Sequence, residues 1–130
     1  MKFSILVLGS PYNSAASYSA LRFCESVLEK QHEIFRVFFY QDGVHATSAL
    51  AAPPRDEHDT YSSWQSLQKS YNIDCVTCIA AATRRGILSA SEAERYDKLE
   101  SNLAEGFSLS GLGQWIEAMV VSDRCLTFGA

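Results

Sequence analysis

The stretch KFSILVLG, residues Lys2 to Gly9, is short and places apolar side chains on both faces of an extended chain. A strand with one solvent-exposed face alternates apolar and polar residues, whereas a strand covered by helices on both sides is apolar nearly throughout. The stretch therefore predicts a strand inside a parallel sheet that helices cover on both faces.

Strand and helix signals alternate along the rest of the chain. Segments rich in aromatic and β-branched residues predict three more strands: EIFRVFFY (Glu33 to Tyr40), IDCVTCIA (Ile73 to Ala80) and RCLTF (Arg124 to Phe128). Helical spacing predicts three helices. The first has Tyr18, Leu21, Cys24 and Leu28 at this spacing and ends near Gln31, the second has Tyr61, Trp64, Leu67 and Tyr71, and the last has Leu112, Trp115, Ile116 and Met119 on one face. A capping box at Ser89-Ala90-Ser91-Glu92 predicts a further helix, between the second and the last, that includes Arg95 and Leu99. The alternation predicts a single α/β domain over residues 1–130, a three-layer sandwich with a mainly parallel sheet in a flavodoxin-like arrangement.

The segment QDGVHATSALAAPPRDEHD, residues 41–59, is polar and small, and Pro53-Pro54 excludes a continuous helix. A connection of this length without secondary structure is uncommon unless it has a function. We therefore expect a functional or partner-contacting loop here.

Composition excludes several classes of protein. The chain of 130 residues is 47% hydrophobic and 20% charged, as expected of an ordinary globular domain, and no apolar run approaches the ~18 residues that a membrane span needs. The net charge of −4 argues against direct nucleic-acid binding. The first apolar run stops at Gly9-Ser10-Pro11 with no small-residue cleavage site, so a cytoplasmic protein with reduced cysteines is expected.

Cys75 and Cys78 form a C-x-x-C pair inside the predicted third strand. Side chains alternate along a strand, so residues three apart point to opposite faces, whereas a redox dithiol has its C-x-x-C at the start of a helix. A zinc site needs four ligands, commonly in two close pairs. The remaining candidates are scattered singly: Cys24, Cys125, His32, His45 and His58. Neither a working dithiol nor a metal site is predicted, and no cofactor is expected.

The two cysteines differ in their surroundings. Cys75 lies mid-strand among apolar residues, where a cysteine usually acts as a small hydrophobe. Cys78 lies at the carboxyl end of the strand, before the small residues Ala80–Ala82 and the start of a helix. That helix terminus and the cations Arg84 and Arg85 would favour a reactive thiolate. Position alone leaves open whether Cys78 is a nucleophile or another buried core cysteine.

The loop GSPYNSAAS after the first strand supports a different class of function. In flavodoxin-like folds this loop binds phosphate groups, and Ser10, Asn13, Ser14 and Ser17 could donate hydrogen bonds to a ligand. Pro11 removes one backbone donor, however, and the loop has no glycine cluster. A turn that begins the first helix is the simpler interpretation, and a non-catalytic ligand-binding or scaffold subunit is an alternative.

Three motifs in order carry a resemblance to a known family. The stretch CIAAATRRGI, with EIFRVFFYQDGV before it and GFSLSGLGQWIEA after it, resembles the DsrE-like sulfurtransferases, specifically their TusD/DsrE subunits. The resemblance covers nearly the whole chain. It implies a DsrE-like domain in which the cysteine before the alanine run, Cys78, carries a persulfide, whereas Cys75 matches no family requirement.

The resemblance also implies partners. It suggests a heterohexamer with two copies each of this chain and of related TusB-like and TusC-like subunits. A small sulfur-carrier protein would be the donor and a protein with a C-terminal cysteine the acceptor, in a relay for 2-thiolation of wobble uridine in tRNA. The alternative that the same resemblance offers is the DsrE role in dissimilatory sulfur oxidation.

Overall fold

The computed structural model describes residues 1–129 and contains five strands and five α-helices in that range. In chain order these are β1 (Lys2–Val7), α1 (Ala16–Glu29), β2 (Glu33–Phe39), α2 (Thr60–Tyr71), β3 (Cys75–Cys78), α3 (Ile79–Thr83), α4 (Ala90–Arg95), β4 (Phe107–Ser110), α5 (Gly113–Val121) and β5 (Arg124–Phe128), with a 3-10 helix (Gln41–Thr47) between β2 and α2.

The strands form one sheet in the order β4-β3-β2-β1-β5, and each neighbouring pair is parallel. The chain moves outward from β1 to β4, and then α5 returns it across the sheet to place β5 beside β1. The predicted α/β fold with a mainly parallel sheet is therefore confirmed.

The two faces of the sheet follow from the strand register. Val37 of β2 pairs with Cys75 of β3, and Phe39 pairs with Thr77, so these four side chains share a face. The ring of Phe39 lies 5.1 Å from that of Trp64 in α2, which identifies this as the face that α1 and α2 cover. We call it the α1–α2 face.

The opposite face, here called the α5 face, includes Phe38 and Val76. The rings of Phe38 and Trp115 are 6.3 Å apart, and α5 packs against β1, β2 and β5. The structure describes α5 in full, and Ala118 is its one buried residue. The expected apolar face of this helix exists, but it points mostly to solvent: Leu112, Ile116 and Met119 are exposed, as are Val120 and Val121.

Two other elements differ from the sequence-based expectation. The helix that begins at Ser89 ends at Arg95, because Asp97 adopts a positive φ of 55° and the N–H of Lys98 turns back to bond the carbonyl of Ala93. Leu99 consequently lies outside the helix and is 97% exposed. The strand β4 was not predicted at all, although its sequence lies within one of the motifs quoted above.

Residues 41–59 are more ordered than the expected loop. The first seven form the 3-10 helix, and Gly43, Val44, Ala46 and Thr47 within it are buried. Gly43 lies so close to the end of β1 that a Cβ atom there would overlap the carbonyl oxygen of Val7. The 3-10 helix thus packs against the carboxyl ends of the strands.

In residues 1–129, no helix is long and apolar enough to cross a membrane.

Candidate functional site

Cys78 is the last residue of β3 and the N-cap residue of α3, so the chain turns from strand to helix at this thiol. Its backbone is extended, with φ −60° and ψ 119°, and the residue is 4% exposed. Cys78 lines a cavity of about 410 Å³. Cys78 is therefore buried within the protein yet next to an open space.

The walls of this cavity come from the strands on either side of β3. Tyr40 and Gln41 follow β2, while Gly111 and Leu112 follow β4. Because parallel strands end at the same edge of a sheet, these segments converge around the end of β3. The connection of residues 41–59, which the sequence predicts to be functional, thus supplies Gln41 to the cavity.

The two arginines that follow α3 also line the cavity, but they differ in their partners. The Arg85 Nε donates to Asp42 Oδ1 at 2.9 Å, and its Nη1 donates to the carbonyl of Ala81 at 3.1 Å. Arg84 Nε donates to the carbonyl of Ala80 at 3.1 Å, and within residues 1–129 Arg84 forms no salt bridge. Arg85 thus fastens the 3-10 helix to α3, whereas the charge of Arg84 has no acidic partner in the described chain.

The alanine run has a divided role. Ala80 is exposed at the cavity, whereas Ala81 and Ala82 are buried in the core. Ala80 and Ala81 both line the cavity, whereas Ala82 contributes only to the core.

Cys75 lies in a different environment, on the α1–α2 face, where it is 2% exposed. Burial raises the pKa of the Cys75 thiol, and the neighbouring Cys24 thiol and the Asp74 carboxylate raise it further. Burial likewise raises the pKa of Cys24 to about 12. Both thiols stay protonated at neutral pH, and protonated thiols are poor nucleophiles. Cys75 and Cys78 also point to opposite faces of the sheet, which agrees with the argument against a dithiol.

Arg36 is a buried cation that the sequence analysis missed. From β2 it donates to the carboxylate of Asp74, at 2.8 Å from Nε and 2.7 Å from Nη2, and from Nη1 to the carbonyl of Gln114 at 2.7 Å and to Glu117 Oε1 at 3.0 Å. It therefore joins the start of β3 to α5, whose N-terminal end follows the cavity residues Gly111 and Leu112. The signal available in the sequence was a single arginine within the otherwise apolar run EIFRVFFY.

Comparison with known proteins shows the family of the chain. The model of the DsrE/DsrF-like family matches residues 1–128. The chain belongs to this family. The DsrE protein of Allochromatium vinosum is 46% identical over 129 residues, which are 99% of each chain. The sulfurtransferase TusD homolog of Pseudomonas aeruginosa is 49% identical over 129 residues, which are 99% of this chain and 98% of that one.

A solved structure supports the same fold. The crystal structure of the ychN protein from E. coli superposes with a TM-score of 0.79 and covers 98% of this chain and 99% of its own, at 21% sequence identity. At that identity the likeness concerns the fold alone.

In this DsrE/DsrF-like chain the loop after β1 has mostly local contacts. Ser14 Oγ accepts a hydrogen bond from the N–H of Ala16 and donates one to the carbonyl of Ser10, both at 3.3 Å. Ser17 is buried and accepts a hydrogen bond from Trp64 Nε1 at 3.0 Å. These bonds favour a structural turn over a phosphate-binding loop.

The strand order reverses beside β1, and flavodoxin-like folds bind ligands at such a point. Cys78 lies two strands away from it, at the end of β3.

The remaining thiol and imidazoles do not converge. Cys125 is exposed on the edge strand β5, and His32 bonds the N-terminal amine through Nδ1 at 3.0 Å. In the part of the chain that the structure describes, no three His, Cys, Asp or Glu side chains lie close enough to hold a metal ion.

Proposed function

We propose that this chain is a sulfurtransferase that receives a sulfane sulfur on Cys78 and passes it to a cysteine of another protein. The observation that carries the proposal is the position of Cys78, at the strand end and in a cavity, in a chain whose relatives are named sulfurtransferases. Cys75 and Cys24, by contrast, lie on the closed α1–α2 face.

The chemistry needs one thiolate. The Cys78 thiolate attacks the outer sulfur of an incoming persulfide, R–S–SH, and the S–S bond of the donor breaks as a new one forms on Cys78. The donor leaves as R–S⁻, and Cys78 holds the outer sulfur with its proton. A thiolate of the acceptor then attacks that outer sulfur and releases the Cys78 thiolate. No net oxidation occurs, so the cycle needs no oxidant or reductant and no second cysteine of this chain.

The residues of the cavity would serve this reaction in two ways. The walls of the cavity would keep bulky thiols of other molecules away from the sulfur on Cys78, so that they do not remove it prematurely. Arg84 is the cation without an acidic partner on the cavity wall, and it would attract the anionic sulfur of a donor or acceptor. Arg85, paired with Asp42, would mainly hold the cavity wall in place.

For the partners, we propose TusB-like and TusC-like subunits in a heterohexamer, a small sulfur-carrier donor and an acceptor with a C-terminal cysteine, in the cytoplasmic relay for 2-thiolation of tRNA wobble uridine. The exposed apolar residues of α5 support an assembly, because such side chains are usually covered by partners. The resemblance to DsrE at 46% identity keeps sulfur oxidation as the second candidate.

Intact-protein mass spectrometry tests the chemistry. After incubation with glutathione persulfide, the wild-type chain should gain the mass of one sulfur atom, and dithiothreitol should remove it. Cys78→Ser should abolish the gain, because a hydroxyl does not ionise near neutral pH and cannot hold a sulfane sulfur. The matched control is Cys75→Ser, which should keep the gain. Loss of the gain in a folded Cys75→Ser protein would instead indicate a dithiol.

A genetic experiment separates the two pathways. In a strain that lacks its own TusD, the chain supplied with its TusB-like and TusC-like neighbours should restore 2-thiouridine in tRNA, whereas Cys78→Ser should not. Restoration of sulfide-dependent growth in a sulfur oxidiser that lacks DsrE, without any thiolated tRNA, would favour the second candidate.

A further inference from the structure

A second cavity, larger than that of Cys78, lies between the short helices α3 and α4. It has a volume of about 770 Å³, and we call it the α3–α4 groove. The side chains that matter for its chemistry are Arg84, Leu88, Glu92, Arg95, Tyr96 and Lys98. The lining thus combines apolar and aromatic side chains with charged ones.

The charge of this groove opposes that of the whole chain. Three of its side chains are cationic and one is anionic, whereas the chain carries a net charge of −4. Arg95 is only weakly paired, with its Nη1 3.8 Å from Glu92 Oε1. In the described chain neither Arg84 nor Lys98 forms a salt bridge. A lining with more cations than anions, two of them without a salt bridge in residues 1–129, is suited to a negatively charged ligand.

The groove also has an apolar and aromatic part. Leu88 and Tyr96 line it beside the charged side chains. A polypeptide can cover such a surface with its own side chains while its acidic groups meet the cations, whereas a simple inorganic anion cannot. The mixed lining therefore favours a polypeptide ligand.

The groove adjoins the cavity of Cys78. Ile79, Ala80 and Arg84 line both cavities, and Ile79 directly follows Cys78 in the chain. A polypeptide bound in the groove would therefore lie next to the cavity of Cys78. The groove is thus placed to hold a segment of a protein whose cysteine exchanges sulfur there.

We propose that the α3–α4 groove binds an acidic polypeptide segment of the protein that exchanges sulfur with Cys78. This inference rests on the proposed function and adds to it the place and the charge of the partner's contact. Arg95 and Lys98 attract the acidic side chains, and the segment extends toward Arg84 and the thiol.

Fluorescence anisotropy with a cysteine-free, glutamate-rich peptide tests binding apart from chemistry. The wild-type chain should bind this peptide in low salt, and its affinity should fall as the salt concentration rises. A peptide of the same sequence with glutamine in place of each glutamate should bind much more weakly. The double variant Arg95→Ala/Lys98→Ala should weaken binding about tenfold. The matched control, Lys30→Ala/Arg124→Ala, removes two cations beside β5 and should not change it.

Equal binding of both peptides, or equal losses in the two double variants, would overturn the proposal. The transfer step is then measured with chain already loaded with sulfur at Cys78 and a glutamate-rich peptide that ends in cysteine. Arg95→Ala/Lys98→Ala should slow transfer to this peptide about as much as it weakens binding. If the wild-type chain never loads sulfur yet still binds the cysteine-free peptide through Arg95 and Lys98, the proposed function fails while the ligand class of the groove stands.

Discussion

The two faces of the sheet are covered to very different degrees. On the α1–α2 face two helices of 14 and 12 residues bury Trp64, Cys24 and Cys75 completely or nearly so. On the α5 face a single helix of nine residues buries Ala118 and leaves Val120 81% exposed. The chain completes one face by itself and leaves the other incomplete, and Cys78 points to the incomplete side. The better covered face thus carries most of the buried core, and the proposed sulfur carrier Cys78 points to the other.

The tryptophans of the two helices give the largest expected contrast. Trp64→Ala should lower the free energy of unfolding by about 3–5 kcal/mol, because a fully buried ring and its hydrogen bond to Ser17 are lost. Trp115→Ala, on the α5 face, should cost clearly less because Trp115 is only partly buried. Urea denaturation of both variants measures the difference. Equal losses would mean that α5 is as well packed as α2.

Alkaline pH should destabilise the α1–α2 face next most strongly. The Cys24 thiol ionises near pH 9 in the unfolded chain but near pH 12 in the folded one, so above pH 9 the unfolded state binds fewer protons. Stability should therefore fall as pH rises, by about 1.4 kcal/mol for Cys24 at one pH unit above 9, and Cys75 should add a similar amount.

Urea denaturation at pH 8 and pH 10 measures this effect. Cys24→Ala should reduce the loss between the two pH values. Cys125→Ala should change it far less, since that thiol is exposed in β5. A wild-type chain that is equally stable at both pH values would show that the two buried thiols are accessible to water.

Removal of the Arg36 side chain should have a smaller effect, concentrated on α5. Arg36→Met should lower the free energy of unfolding by about 2 kcal/mol, because Asp74 and Glu117 lose a buried cation but are themselves half exposed and can be solvated. The matched control, Arg22→Met, breaks an exposed pair with Glu25 and should cost less than about 0.5 kcal/mol. Hydrogen exchange should accelerate in α5 of Arg36→Met; acceleration confined to α1 and α2 would refute the role of Arg36.

The smallest effect on stability is expected at the exposed surface of α5. Val120→Ser should change the free energy of unfolding of the isolated chain by less than about 0.5 kcal/mol. If partners cover this surface, the same variant should weaken co-purification with TusB-like and TusC-like subunits. Unchanged assembly would place the interface elsewhere.

Much of the fold could be predicted from the sequence because helix and strand periodicities are local. The strands β1, β2, β3 and β5 carry clear apolar signals, whereas β4 has the sequence FSLS between Gly106 and Gly111 and resembles a turn. It is a strand because it pairs with β3, a contact that no local pattern encodes. The predicted helix to Leu99 failed for a related reason, since the chain reverses at Asp97.

The site was predictable in part. Side-chain alternation along one short strand correctly separates the faces of Cys75 and Cys78, but the predicted strand extended to Ala80, whereas β3 ends at Cys78. The cavity around it needs Tyr40, Gln41 and Leu112, which are far apart in the chain and meet only because three strands end together. The pairing of Arg85 with Asp42, 43 residues apart, was equally invisible.

The turn from β3 to α3 at Cys78 implies that the chain tolerates insertions and deletions unevenly. The pairing of β3 with β2 and β4 fixes which residue ends the strand. Deletion of one residue between Ile73 and Thr77 would shift this register and rotate the Cys78 side chain toward α1 and α2, the face on which Cys24 and Cys75 are buried. In the described chain, residues 50–59 belong to no strand. With Cys78 as the proposed sulfur carrier, a change of length should preserve transfer in residues 50–59 and abolish it in β3.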